Sequence, residues 1–528
     1  MNDTPVFSHA AVAAPHYLAV EAGRDILVQG GNAIEATVAM AATIAVVYPH
    51  MNGIGGDNFW LIREPNGRVR AIEGCGFAGE LATLERYRTL ELDSVPPRGP
   101  HAALTVPGAV GGWALALELS NAVGGRLPVR ILLENSVRHA LAGYAVSRSE
   151  ARFDPTNVAA LMAAPGFAQA YLVDGKAAEA GAMRKATALG ETLDQLGHAG
   201  LDDFYRGDVA REIAGDLERI GAPITRADLK QYRARWRPPL SMRFGKATLY
   251  NTPAPTQGLA SLILLAIYER LRIGDVHGFG HVHGLIEAAK RAFMVRDSLD
   301  ADYDSSPDDF ADFLPAAALD KEAAAIDMAR AAMWPPAPEK GDTIWMGAID
   351  SEGRAVSFIQ SIYWDYGSGC VLPRTGVLMQ NRGLAFSLDP GSRNPLYPGR
   401  RPPHTLNPPL AVFDDGRILS YGSMGGDGQP QFQAQILTRY LHGDSLTKAL
   451  AAPRFMVGRS WGAPSASVKL EAGFDDAVAR ALEKAGHIVE GRHGGDQDSF
   501  GHAGMLLRVK DAVHAAHDPR ADGGAAGV

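Results

Sequence analysis

Cysteine is scarce in this sequence: two among 528 residues, Cys75 and Cys370. That excludes a disulfide framework, and neither residue sits in a CxxC pair or a Cys/His cluster of zinc-ligand spacing. The fold therefore does not depend on an oxidising compartment. Positive charge is short as well. Lys and Arg number 51 against 59 Asp and Glu, a net charge of -8. Nonspecific nucleic-acid binding, which runs on surplus Lys and Arg, is disfavoured. An anionic substrate would have to find a local cation, because the overall field does not attract it. Long apolar runs are missing too. The longest, "ATVAMAATIAVVY" from Ala36 to Tyr48, is too short to span a bilayer. The first residues carry an acid and no basic cluster, unlike a secretory signal, so a cytoplasmic protein without nucleic-acid or membrane partners is expected. The usual nucleophile signatures are absent: no G-x-S-x-G, no S-x-x-K with its partners, no H-E-x-x-H.

What is present is an ordinary globular composition, 46% hydrophobic and 21% charged, in a chain long enough for a sizeable core. In "GGNAIEATVAMAATIAVVYPHMNGIGGDNFWLI" (Gly30 to Ile62), Asn32 and Glu35 have the spacing of a capping box. The helix they open is apolar on nearly every side, which predicts burial between layers. Pro49 ends it, and a glycine-rich loop then leads into a strand. Helix, loop, strand is the reverse of a dinucleotide fingerprint, so that reading fails. Residues 105 to 330 are rich in helix patterns. His281 and His283 point to different faces of one helix, whereas His283 and Glu287, four apart, share one. Two groups do not make a metal site, and a polar helix face is the simpler account.

After Lys340 the texture changes. "TIWMGAID" and "AVSFIQSIYW" flank the turn "SEGR" and predict a hairpin, and further strands are expected in "GVLMQNRG", "PPLAVFDDGRILSYGSM" and "SVKLEAG". The chain thus divides near residue 342 into a helix-rich larger part and a strand-rich smaller part. The pattern predicts an α+β layered sandwich. Thr343 opens the first of these strands, directly after the Pro-rich "WPPAPEK" and Gly341-Asp342. A threonine there is ordinarily a β-former. A second feature is Gly425 and Gly426, between the strand "RILSYGSM" and the helix that Pro430 opens. Backbone N–H groups at such a turn can bind an anion, or the glycines can simply serve a tight turn.

Together these stretches carry a resemblance. "VAAPHYLAVEAGRDILVQGGNAIEATVA", "NGIGGDNFWLI", "TVPGAVGGW", "HGLIEAAKRAFMVRD", "GDTIWMGAIDSEGRAVSF", "RRPPHTLNP", "YGSMGGDGQ", "APRF" and "HDPRADGGAAG" are similar, in order and over nearly the whole chain, to the γ-glutamyltranspeptidase family of N-terminal nucleophile hydrolases. The resemblance implies a four-layer αββα sandwich made from two chains, 1–342 and 343–528, intertwined after self-cleavage between Asp342 and Thr343. Thr343 would be the nucleophile, its freed α-amine serving as base. Ser361 falls where the family has a threonine whose hydroxyl bonds that amine, and Gly425 and Gly426 match the oxyanion-hole pair. No cofactor or metal is implied, and a dimer of heterodimers is expected.

The family's substrate clamp is altered. Cys75 stands at or next to the place of the arginine that holds a glutamyl α-carboxylate. Ala385 falls on or near the aspartate that binds the α-amine, Tyr363 replaces an asparagine, and His404 and Thr405 stand for paired serines. A γ-glutamyl donor loses its grip. Arg382, His404, Thr405 and Tyr363 become the candidate substrate residues, with Trp345 and Trp364 near in sequence. The alternative role for Arg382 is a structural ion pair, and for His404 simple packing. The pattern is most similar to the oxamate amidohydrolase branch, linked to purine or allantoin degradation, which implies hydrolysis of a small carboxylate-bearing amide. Competing readings are a γ-glutamyl hydrolase or transpeptidase, a cephalosporin-type acylase, and a non-catalytic binding member.

Overall fold

In a computed structural model, residues 3–152, 155–298, 315–334, 342–458, 465–493 and 498–528 are described. The Pro-rich run 335–340 and Gly341 lie outside them. Two seven-stranded sheets, each antiparallel throughout, lie at the centre. The first has the spatial order Gly524–Gly527, Ala11–Ala14, Asp342–Ile349, Ala355–Tyr363, Asp57–Arg63, Val69–Gly74, Arg235–Arg237. The second runs Val6–Phe7, Ala512–His517, Ala503–Val509, Ile418–Ser423, Leu410–Phe413, Ala247–Asn251, Leu240–Phe244.

The alternation of side chains along a strand explains the layering. In the strand that Thr343 enters, Ile344, Met346 and Ala348 join a core shared with the helices Tyr17–Val28 and Ala33–Val47. Trp345 and Ile349, on the opposite face, join Leu61, Leu410, Ile418 and Leu506 in the core between the sheets. A third core joins the outer face of the second sheet to the helices Gly258–Arg270, Phe279–Ser298 and Gly428–Leu441. The result is helix, sheet, sheet, helix, as expected for an αββα sandwich.

The helix Ala33–Val47 is buried at every residue. Its first N–H groups are satisfied as the sequence predicts: Ile34 and Glu35 donate to Asn32 Oδ1 at 2.9 and 3.0 Å, and Asn32 N donates to Glu35 Oε2 at 2.8 Å. A further contact ties it to the nucleophile hairpin, with Ala33 N donating to Asp350 Oδ2 at 3.0 Å. No described helix is long and apolar enough to cross a membrane.

Two expectations need correction. The stretch "GVLMQNRG" is not a regular strand. It makes isolated bridges, Val371 with Leu378 and Gly55 with Met379, then enters a short 3-10 turn at Arg382–Ala385. The part before residue 342 also carries more strand than its helix-rich texture suggests: four of the seven strands in the first sheet and three of seven in the second. They include two local hairpins, Asp57–Arg63 with Val69–Gly74 and Leu240–Phe244 with Ala247–Asn251, and the short strands Val6–Phe7, Ala11–Ala14 and Arg235–Arg237, which pair with distant partners and carry little local pattern.

Candidate active site

The hairpin expected after Lys340 forms between Asp342–Ile349 and Ala355–Tyr363. Its register slips at the open end. Asp342 pairs with Tyr363 and Ile344 with Gln360, so Thr343 lies across from two residues, Ser361 and Ile362. A bulge of this kind re-aims the side chain it carries. Thr343 is fully buried, and its Oγ1 accepts a hydrogen bond from Gln429 Nε2 at 3.4 Å. Gln429 is itself fixed, since Asn407 Nδ2 donates to its Oε1 at 3.2 Å.

Gln429 stands three residues beyond Gly426. The strand Ile418–Ser423 and the helix Gly428–Leu441 meet there, and Gly425 and Gly426 have φ of +121° and +54°. A side chain on Gly425 would be strained by that φ and would meet Phe432 at 2.8 Å. Both glycines are buried, and among the described residues neither N–H donates to an acceptor. Gln257 holds the turn from below, donating to Gly426 O and Thr405 O, each at 2.8 Å. Arg296 in turn donates to Gln257 Oε1 at 3.0 Å and pairs with Asp427 at 3.1 Å. Two buried, unspent donors on a braced turn are what a developing oxyanion requires.

On the other side of Thr343, Ser361 Oγ accepts from Tyr363 N at 2.8 Å and from Arg382 Nη2 at 3.2 Å. Tyr363 has φ of +83°, uncommon for an aromatic residue, and its ring lies 4.1 Å from the Arg382 guanidinium carbon. Backbone strain of this sort concentrates at functional sites. Arg382 is wholly buried, forms no ion pair among the described residues, and leaves Nε and Nη1 without a partner. Burial lowers its pKa to about 10, against the pull of Tyr363 and Asp57, so it stays cationic at neutral pH. His404 is also buried, with neither ring nitrogen hydrogen-bonded, and burial holds its pKa well below the usual value. Its Nε2 lies 3.5 Å from Asp57 Oδ2. Thr405 Oγ1 has no partner either. Buried polar groups are rarely left unmatched, and several in one place mark where a polar ligand completes the set.

The structure therefore brings together Thr343, Ser361, Tyr363, Arg382, His404 and Thr405, with Gly425 and Gly426 at the same turn as Gln429. Trp345 is not among them. It packs between the sheets, donating to Ser357 Oγ at 2.9 Å, and a Cβ on Gly422 or Gly504 would lie 2.2 Å from its ring. Of Asp342 only the backbone is described. The sequence reading missed Gln429, Gln257, Asn407 and Asp57. Gln429 and Asp57 lie inside quoted glycine-rich stretches, where the glycines drew the attention. Gln257 and Asn407 carry no local signal.

Comparisons with known proteins bear on the family and the fold. The profile of the gamma-glutamyltranspeptidase family matches residues 19–528. The chain belongs to that family. An oxamate amidohydrolase proenzyme of Klebsiella pneumoniae is 46% identical over the full length of both chains. A glutathione hydrolase-like proenzyme of Bacillus subtilis is 36% identical, again over the whole of both. Among solved structures, a cephalosporin acylase from Bacillus halodurans superposes with a TM-score of 0.89 at 30% identity, covering 100% of this chain and 97% of that one. The protein is accordingly an enzyme, an amide-bond hydrolase with the N-terminal-nucleophile fold.

Cys75, at or next to the place expected for a clamp arginine, is a buried thiol. Cys75 Sγ donates to Glu73 Oε1 at 3.6 Å, and burial beside Glu73 pushes its pKa well up. Glu73 is surrounded by Arg235 at 2.8 Å, Arg237 at 3.0 Å and Arg401 at 2.9 Å, so these cations are spent on it. The His283–Glu287 pair meets His487 in one cluster with ligand atoms within 4.8 Å. Its groups serve one another. His283 Nδ1 and His487 Nε2 are 2.8 Å apart, and Lys290 Nζ donates to Glu287 Oε1 and to Ala332 O, each at 2.7 Å. Lys290 thus occupies Glu287 and anchors the chain at Ala332.

Proposed function

We propose that the chain cuts itself between Asp342 and Thr343 and then hydrolyses a short carboxylate-bearing amide, oxamate, to oxalate and ammonia. The observation that carries the substrate class is Arg382: a fully buried guanidinium with two free nitrogens, one hydrogen bond away from Ser361. In oxamate the carboxylate is bonded directly to the amide carbon. The cation must then lie within a few bonds' reach of the nucleophile, and Arg382 reaches the residue across the bulge from Thr343. The 46% identity to an oxamate amidohydrolase over both full lengths supports the same substrate.

Each step follows from the residues. The Thr343 hydroxyl, with a pKa far above 7, adds to the carbonyl of residue 342; the N-to-O shift breaks the C–N bond and frees the α-amine, and hydrolysis of the resulting ester restores the hydroxyl and parts the two chains. That amine, with a reference pKa of about 7.7–8, takes the hydroxyl proton in each later turnover. Thr343 Oγ1 attacks the amide carbon while the Gly425 and Gly426 N–H groups hold the oxyanion. The proton passes to the leaving nitrogen, ammonia departs, and water hydrolyses the oxalyl ester. Arg382 holds the substrate carboxylate in a planar fork throughout. Gln429 orients the Thr343 hydroxyl.

The test is a pair of measurements on purified protein. N-terminal sequencing of the smaller fragment should read Thr-Ile-Trp-Met, and oxamate should release ammonia faster than γ-glutamyl anilide is cleaved. A single uncut chain, or γ-glutamyl anilide as the better substrate, would overturn the proposal.

A further inference from the structure

Asp57 is a carboxylate that the reaction above does not use. It closes the loop "NGIGGD" and opens the strand that pairs with Ala355–Tyr363, directly opposite Ser361. Gly55 and Gly56 let the loop approach that closely, because a Cβ on either would lie 2.1 Å from the carbonyl oxygen of Leu378 or Ser361. The Asp57 carboxyl is fully buried. Its Oδ1 accepts from Gly76 N and Gly108 N, each at 3.0 Å. Its Oδ2 accepts no hydrogen bond within normal geometry, and faces His404 Nε2 at 3.5 Å. Arg382 acts on it electrostatically without reaching ion-pair distance.

We infer that Asp57 links anion binding in the pocket to a proton: it is the counter-charge of Arg382 in the substrate-free enzyme, and it takes up one proton when a substrate carboxylate claims that arginine. This rests on the reading of Arg382 as the carboxylate holder. The reason is charge balance. One buried cation can compensate one buried anion, and two carboxylates sharing it cannot both stay ionised. The other groups around Asp57 offer no second cation. His404, from the segment before Leu410–Phe413, is held neutral by burial. Cys75, beyond the strand Val69–Gly74, and Tyr205 and Tyr232, from the helical side, all have pKa values raised by burial and stay uncharged. Gln380 contributes only an amide, and Arg401 is paired with Glu73. Burial already raises the Asp57 pKa to about 7, opposed by Arg382, the Gly76 amide, the Gln380 side chain and the Gly108 amide, so the proton is available near neutrality. It comes from solvent on binding, stays while the oxalyl group is esterified to Thr343, and returns to solvent as oxalate leaves.

A neutral amide makes no such demand. The Michaelis constant for oxamate should therefore rise about tenfold per pH unit above the Asp57 pKa, while that for the uncharged analogue oxamide stays flat. Titration of the Thr343 amine affects both substrates and cancels in the comparison. The experiment measures both constants from pH 6 to 9 in the parent and in Asp57→Asn. The expected result is a slope for oxamate in the parent alone. A slope shared by oxamide, or one that survives in Asp57→Asn, overturns the inference. Should Asp57→Asn not fold, calorimetry of the parent with oxalate at pH 8, in two buffers of different ionisation enthalpy, decides. Uptake approaching one proton supports the inference and none defeats it. Ammonia release with a flat oxamate profile would defeat the role of Asp57 alone. No ammonia from oxamate at any pH would defeat the substrate reading, and this inference with it.

Discussion

Single residues divide the labour at this site, and substitutions should separate their roles. Arg382→Leu removes a buried guanidinium that donates to Ser361 and has two nitrogens without a partner among the described residues. A charge-assisted hydrogen bond contributes roughly 1.5–3 kcal/mol, so the Michaelis constant for oxamate should rise about tenfold or more while that for oxamide barely moves. Equal effects on both would mean that Arg382 is structural. Gly426→Ala forces a side chain onto a residue at φ of +54° and displaces one of two unspent N–H donors. Turnover should fall by roughly 10²–10³ in a protein that still folds and cleaves. Retained activity would move the oxyanion hole elsewhere. Thr343, Arg382 and the glycine pair were named from the sequence mainly through the family resemblance: alone, Thr343 reads as a β-former, the glycines as a tight turn and Arg382 as a structural ion-pair member. Asp57 and Gln429 were not, because a lone acid or amide beside glycines looks like loop chemistry. Only burial without a partner, or a contact across 86 residues, reveals them.

Elements carry the site by fixing where those residues lie. The helix Ala33–Val47 packs its whole circumference into protein, and its start is pinned by Asn32, whose Nδ2 also donates to Ser120 Oγ at 2.7 Å. Asn32→Ala leaves two N–H groups without their cap and should cost about 0.5–2 kcal/mol. Urea titration would read this as a lower midpoint at unchanged slope. An unchanged midpoint would mean that tertiary packing alone sets the helix start. This element was readable in full, because capping and composition are local. The stretch around Leu378 was not. Its apolar residues meet the glycine loop and Cys370 rather than a sheet partner, and sequence pattern does not distinguish a buried irregular segment from a strand.

Across the whole molecule, a buried charge network supports the Gly425–Gly426 turn from behind. Arg454 donates to Gly501 O at 2.7 Å and pairs with Asp518, Arg520 pairs with Asp518 at 2.9 Å and with Glu471 at 2.6 Å, and Gly501 packs against Met424 beside the glycine pair. Burial alone would raise the Asp518 pKa, but Arg454 and Arg520 more than offset it, and the carboxyl ends well below its usual range. A depressed carboxyl contributes stability that is fully present above the unfolded value of 3.8 and is lost as pH falls below it, toward the folded value. Asp518→Asn leaves the buried Arg454 without its carboxylate partner, at a cost on the order of 3–5 kcal/mol near pH 7. Its melting temperature should drop, and it should fall less steeply than the parent's below pH 4. Parallel acid curves would exclude Asp518 as a source of acid lability.

The sequence by itself determined what local chemistry encodes: the capped buried helix, the hairpin after Lys340, the turn glycines and the family to which their order points. Tertiary structure alone decided which buried polar groups face one another. Asp57, Ser361, Arg382 and His404 come from four separate segments, and their protonation depends on burial and on the charges that antiparallel pairing sets beside them. Neither burial nor distance is a property of a residue type, so the charge balance of the pocket becomes readable only once the sheets are assembled.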